Sequence, residues 1–229
     1  MKISVLTCTA RPEGIPLVQK ALKRQTFKDF EHIIQEKTPI KPGNCWSLNA
    51  DYNSAIKRSK GDLIVSWQDW TFADPTCLEK FWYHFTKEPK TLVTAVGNKY
   101  TDDTWTVKTW QDPRERSDQG TYYGCYPSDI EWNLASIPRK ALYDVGGFME
   151  DFDFFYGLDG YNVNERIDEL GGYDFKIDQT IKSYSLEHGR LSGDWDDKNW
   201  LLGDRYPKMK EKLIEEGKWP KAPYLGLDS

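Results

Sequence analysis

Along the first hundred residues the apolar positions switch repeatedly between short continuous runs and a helical spacing. Residues 3–7, ISVLT, form a β-branched run that predicts a strand. Residues 16–25 space their apolar side chains as a helix does, behind Pro16, which a first helical turn tolerates. The same alternation predicts a strand over 31–35, a helix over 48–59 closed by Lys60-Gly61, and a strand over 63–67. Asp74-Pro75 reads as the cap and first position of a helix over 76–86, and 92–96 as a fourth strand. Strands alternating with helices in this way predict parallel pairing under a cover of helices.

Beyond residue 97 the pattern loosens. Residues 98–132 scatter Trp105, Trp110, Tyr122, Tyr123, Tyr126 and Trp132 among Asp, Thr and Gly, and read as an excursion from the sheet, either hairpins or a lid. Regularity returns with a short strand in NLASIP and a helix over about 138–145 stopped by Gly146-Gly147. A further helix over about 160–170 ends at Gly171-Gly172. YDFKID and IKSYSLEHG predict late strands, and 208–216 a C-terminal helix. The sum is an α/β chain: a mixed sheet flanked by helices, in a single domain. Ligands of open α/β sheets sit beyond the carboxyl ends of the strands. Thr7-Cys8-Thr9, Gln35-Glu36 and Gln68-Asp69 all fall at such ends, so three polar clusters converge on one edge.

Composition narrows the classes. The chain has 229 residues, enough for one domain with a full core, and a formal net charge of -5. That balance supplies no basic footprint for nucleic acid. No apolar run approaches the ~20 residues of a membrane span, and MKISVLTCTA lacks the apolar stretch of a signal peptide. Cys8, Cys45, Cys77 and Cys125 form no CxxC pair and fit the reduced thiols of a cytosol. These observations predict a cytoplasmic protein without a transmembrane segment. The 10 Trp, 13 Tyr and 10 Phe suit sugar C–H faces or flat bases, and equally an aromatic core.

Several segments together resemble the family 2 glycosyltransferases of the GT-A fold, a Rossmann-like nucleotide-binding architecture. ISVLTCTARPEGIPLVQKALKRQTFKDFEHIIQ is similar to their first strand, helix and second strand, and LNADYNSAIKRSKGDLIVSWQD to the helix and strand leading to the DxD motif. NLASIPRKALYDVGGFMEDF is similar to the stretch with their GGF turn, and GLDGYNVNERIDELGGY to their acidic acceptor-side helix. The resemblance covers roughly residues 1–190, in family order. It implies a GT-A domain over 1–190, with a nucleotide-sugar half (1–97) and an acceptor half (98–190), followed by a helical tail (191–229). It implies transfer of a sugar from a nucleotide-diphosphate donor, UDP-sugar before GDP-sugar, to a carbohydrate or other hydroxyl acceptor, with inversion and a divalent ion, Mn2+ or Mg2+.

That chemistry assigns roles. The leaving diphosphate gathers charge, so a metal or cationic side chains must stabilise it, and a carboxylate must take the acceptor proton. Asp69 matches the DxD-like carboxylate, but Gln68 and Trp70 flank it where aspartates are expected, so one acidic ligand remains. His188, after the last strand, completes the metal shell by resemblance, and Arg190 is a second cation for the diphosphate. Asp159, the one carboxylate between Asp153 and Glu165, is the general-base candidate, and equally a residue that favours a helix N-cap. For the nucleotide the candidates are Thr7, Thr9 and Arg11 after the first strand, Gln35 at the end of the second, and Asn49 and Asn53 one turn apart on a helix. Gln68 suits a ribose or donor hydroxyl, and Trp70 a stacking face. Two rival readings stay open: a GT-A carbohydrate-binding protein without catalysis, and a glycosyltransferase acting on modified bases of DNA, with the acidic balance against the second.

Overall fold

The computed structural model of the chain describes residues 1–36, 47–153, 159–188 and 205–226, the side chains of Asp159 and Arg205 excepted. In chain order the elements are β1 (Ile3–Thr9), α1 (Ile15–Lys23), β2 (Phe30–Glu36), α2 (Leu48–Arg58), β3 (Leu63–Trp67), β4 (Thr71–Ala73), α3 (Cys77–Lys87), β5 (Thr91–Tyr100), β6 (Lys108–Trp110), β7 (Tyr122–Gly124), β8 (Leu134–Pro138), α4 (Arg139–Asp144), α5 (Asp159–Leu170), β9 (Asp174–Leu186) and α6 (Arg205–Glu215).

The strands form one mixed sheet in the order β2-β1-β3-β8-β5-β9-β4, with β6 on β5 and β7 on β9. β1 pairs parallel to β2 and β3, as the strand–helix alternation predicts. The fourth predicted strand lies within β5, which runs in the same direction as β1 and β3 but does not pair with β3, because β8 inserts antiparallel between the two. Every residue of β1, β3 and β8 is buried, as in strands covered on both faces. Two apolar layers cover the sheet. One packs Tyr52 of α2 against Phe148 and Trp132, with Ile167 of α5. The other packs Val18 and Leu22 of α1 and Leu78 and Phe81 of α3 on Trp67 and Phe72.

Several local expectations change. Asp74 does not cap α3. Its N-cap is Thr76, and the Asp74 carboxylate instead accepts from the Tyr184 hydroxyl at 3.2 Å. The two late strands are one, β9, with a register shift against β5 between Ala95 and Val96. The excursion is hairpin-like, and a buried polar knot pins it. Asp112, 1% exposed, accepts from the backbone N–H of Gly97 at 2.9 Å and from Arg114 at 2.5 Å, while Arg114 Nη1 donates to Asp129 O. Burial without these partners would be costly for either charge.

The GGF turn ties the C-terminal segment to the body. Gly146 (φ +69°) and Gly147 (φ +90°) occupy the left-handed region. Ala222 N–H donates to Val145 O and Leu225 N–H to Gly146 O, both at 2.8 Å. Fully buried Arg166 donates to Val145 O at 2.9 Å and to Gly147 O at 2.6 Å. Burial pulls its guanidinium down to about 10, still cationic at neutral pH. No described helix is long and apolar enough to cross a membrane.

Candidate active site

The turn between β3 and β4 carries Gln68, Asp69 and Trp70. Trp67 before it belongs to the core: it is fully buried and its Nε1–H donates to Thr71 O at 2.9 Å. Trp70 is held at φ 58°, a region that L side chains seldom adopt. Its carbonyl accepts from Leu186 N–H at 3.0 Å, and Thr71 Oγ1 lies 3.0 Å from Ser185 Oγ. Those contacts fasten the turn to the end of β9, which brings His188 over it. The Trp70 indole packs against Gly14, where an added Cβ would stand 2.7 Å from the ring.

Asp69, 5% exposed, is gripped from two directions. Thr9 Oγ1, at the end of β1, donates to its Oδ2 at 2.5 Å, and Arg11 Nη2 donates to its Oδ1 at 3.2 Å. The same Thr9 oxygen accepts from Arg11 N–H at 2.8 Å, which fixes the backbone of the arginine. Arg11 Nη1 also donates to His188 Nδ1. An arginine is only a donor, so His188 Nδ1 must be the acceptor here. Asp69 and His188 thus meet on the Arg11 guanidinium at the carboxyl ends of β3 and β9, while Thr9, at the end of β1, holds the arginine's backbone and the carboxylate.

The other candidates stand apart from that cluster. Thr7 Oγ1 lies 3.0 Å from His32 Nε2 on β2. Gln35 faces α2, where its Oε1 accepts from Arg58 Nη2 at 2.6 Å. Asn49 donates through its backbone N–H (2.6 Å) and Nδ2 (2.8 Å) to Asp153, and Asn53 clamps the GGF turn by donating to Phe148 O and accepting from Phe148 N–H. Asp153 accepts three N–H donors at the start of α2, yet burial pushes its carboxyl up to about 6. Arg190 lies outside the described residues, and of Asp159 only the backbone, opening α5, is described.

A cavity of about 890 Å³ opens beside the cluster. Gln68, Asp69 and His188 line one end. Lys99, Trp110, Arg114, Glu131, Trp132 and Tyr161 are among its other lining residues, and Gly160 places the first turn of α5 on its border. Trp110 and Tyr161 are 44% and 43% exposed, so their ring faces are open to a ligand. The resemblance puts residues 98–190 in the acceptor half, but sequence reasoning singled out none of Lys99, Arg114 and Glu131. The approach of β5, β6 and the 127–133 segment to Asp69 is set by the β8 insertion, which no local pattern announces.

A divalent ion asks for oxygen and imidazole donors in one place. Asp69 and His188 both reach the Arg11 guanidinium, so their lone pairs converge and the donor types fit. Among the described residues no group of three His, Cys, Asp or Glu surrounds a common point. Asp69 and His188 therefore suit an ion that shares its shell with a ligand's oxygens.

No family model and no curated protein matches the chain. Solved structures do. S. aureus TarS 1–349 in complex with UDP aligns with a TM-score of 0.62 at 12% identity, over 96% of this chain and 78% of that one. The same protein with UDP-GlcNAc aligns at 0.64 and 13% identity, over 94% and 66%. GalNAc-T7 with UDP, GalNAc and Mn2+ aligns at 0.64 and 10% identity, over 97% and 55%. The fold is that of the GT-A glycosyltransferases, as the order of motifs implies.

Proposed function

We propose that this chain is a glycosyltransferase that moves a sugar from a nucleotide-diphosphate donor to an acceptor hydroxyl. The observation that carries the reading is the Thr9–Arg11–Asp69–His188 cluster, set at the strand ends of a GT-A sheet and opening into a cavity with two exposed aromatic rings. A UDP-sugar is favoured over a GDP-sugar because the aligned TarS and GalNAc-T7 structures hold UDP or UDP-GlcNAc. Residues 1–97 take the donor, with Gln35 at the base and Gln68 at a donor hydroxyl. Residues 98–190 face the acceptor.

Arg11 offers its planar fork to the diphosphate, and Arg190 is a second cation for it. Mn2+ or Mg2+, shared by Asp69, His188 and phosphate oxygens, would neutralise charge on the leaving group. Asn49 and Asn53 act through what they hold, the start of α2 and the GGF turn. Asp159 takes the proton from the acceptor hydroxyl, which attacks the anomeric carbon in line with the departing diphosphate and inverts it. Trp110 and Tyr161 supply ring faces for a carbohydrate acceptor.

Donor turnover tests the reading. Incubation of the protein with UDP- and GDP-sugars and Mn2+, followed by NMR, should show slow hydrolysis of one donor. Asp159→Asn should abolish that turnover while donor affinity stays within about threefold, as loss of a group acting in the transition state requires. Absence of both binding and hydrolysis across the donors would remove the enzyme reading. The single acidic residue of the turn favours the second reading, a saccharide-binding protein without turnover. That protein would bind sugar equally well in wild type and Asp159→Asn, and consume no donor.

A further inference from the structure

We propose that Arg11 is a resident cation that Asp69 and His188 hold in place of a divalent ion, and that it releases them when a nucleotide diphosphate offers its guanidinium another anion. The inference rests on the reading of this cluster as the diphosphate end of a donor site. It begins from an exclusion. A carboxylate oxygen and an imidazole nitrogen are the lone pairs a divalent ion needs, and both are engaged by one guanidinium: Nη2 on Asp69 Oδ1 at 3.2 Å, and Nη1 on His188 Nδ1. Guanidinium and ion cannot use the same lone pairs together. A fixed positive charge within a few ångströms also repels an arriving dication, the more strongly because the Asp69 side chain is only 4% exposed and that of Arg11 17%.

Arg11 is not placed there by chance of a long side chain. Its backbone N–H is held by Thr9 Oγ1 at 2.8 Å, and that hydroxyl donates in turn to Asp69 Oδ2 at 2.5 Å. Backbone and side chain of the arginine are therefore both registered on the carboxylate. Arginine never gives up its charge at accessible pH, so the contact cannot be relieved by deprotonation. It is relieved most readily by a competing anion. The fork that spans a carboxylate and an imidazole spans two phosphate oxygens equally well, and the carboxyl end of β1, where Arg11 begins, is where such sheets receive phosphates. Arg11 then makes metal and nucleotide binding interdependent: each favours the state in which the guanidinium has left Asp69 and His188. By linkage the coupling is the same read from either ligand.

The test measures Mn2+ binding to the full chain by electron paramagnetic resonance of the free ion, first without nucleotide and then with saturating UDP. Wild type should bind Mn2+ weakly alone and at least tenfold more tightly with UDP. Arg11→Gln, which removes the charge and keeps a polar, unbranched side chain, should bind Mn2+ alone at least tenfold more tightly than wild type, and gain less from UDP than wild type does. Arg11→Ala should behave as Arg11→Gln does, with circular dichroism and thermal melts establishing that each variant is folded. Equal Mn2+ affinities of wild type and both variants without nucleotide would overturn the proposal, as would equal gains from UDP. Failure of UDP to bind any of the three proteins would instead defeat the donor reading and the hand-over with it. The comparison with Mn2+ alone still decides whether Arg11 guards the two ligands.

Discussion

His32 shows how a single residue can report on the β1–β2 edge of the sheet. Burial pushes its imidazole down to about 4, and its Nε2 lies 3.0 Å from Thr7 Oγ1 on the neighbouring strand. In the unfolded chain it titrates near 6.5. Between those values the unfolded state binds the extra proton, so the stabilisation is present above pH 6.5 and is lost as pH falls towards 4. Thermal melts from pH 7 to pH 4 should therefore show wild type losing about 1–3 kcal/mol more than His32→Gln. A constant difference between the two proteins across that range would count against a half-buried imidazole held neutral. Among the site residues, the sequence exposes types and order but not partners. Asp69 is legible as the carboxylate at a strand end. Its grip by Thr9 and Arg11 is not, because it depends on how far β1 extends past residue 7. Asn49 and Asn53 show the opposite case: their spacing puts them on one face of α2, but that face meets Asp153 and the GGF turn.

Among the elements, those with a full period in sequence came through with little change: β3 spans Leu63–Trp67 as its apolar run predicts, and α2 begins at Leu48. β4 has three residues, Thr71–Ala73, too few to show any period, and is a strand only because Ser183–Ser185 of β9 pair with it. The position of β8 between β3 and β5 is a tertiary choice of the same kind. The GGF turn is legible from both sides, as a helix stop in sequence and as paired positive φ angles in space. It also makes a sharp prediction. A Cβ on Gly146 would fall 1.7 Å from Ala222 O, at a φ of +69°. Backbone strain and displacement of the C-terminal segment should together cost Gly146→Ala about 3 kcal/mol or more in chemical denaturation. A loss below about 1 kcal/mol would mean that residues 220–225 do not hold the turn as described.

For the whole molecule, the class of fold could be read from the order of weak motifs, none of which specifies it alone, and structures at 10–13% identity share it. The cavity was legible only as an aromatic surplus, since its walls come from β5, β6, the 127–133 segment, α5 and the end of β9, brought together by the mixed topology. The central claim is that the Asp69 cluster receives a nucleotide diphosphate. The most direct test is calorimetric titration of UDP into wild type and Asp69→Asn, in buffer with Mn2+. One saturable site in wild type, with affinity at least tenfold weaker in Asp69→Asn, is the predicted result. Equal affinity in the two proteins, or no saturable binding of either UDP or GDP to wild type, would contradict it.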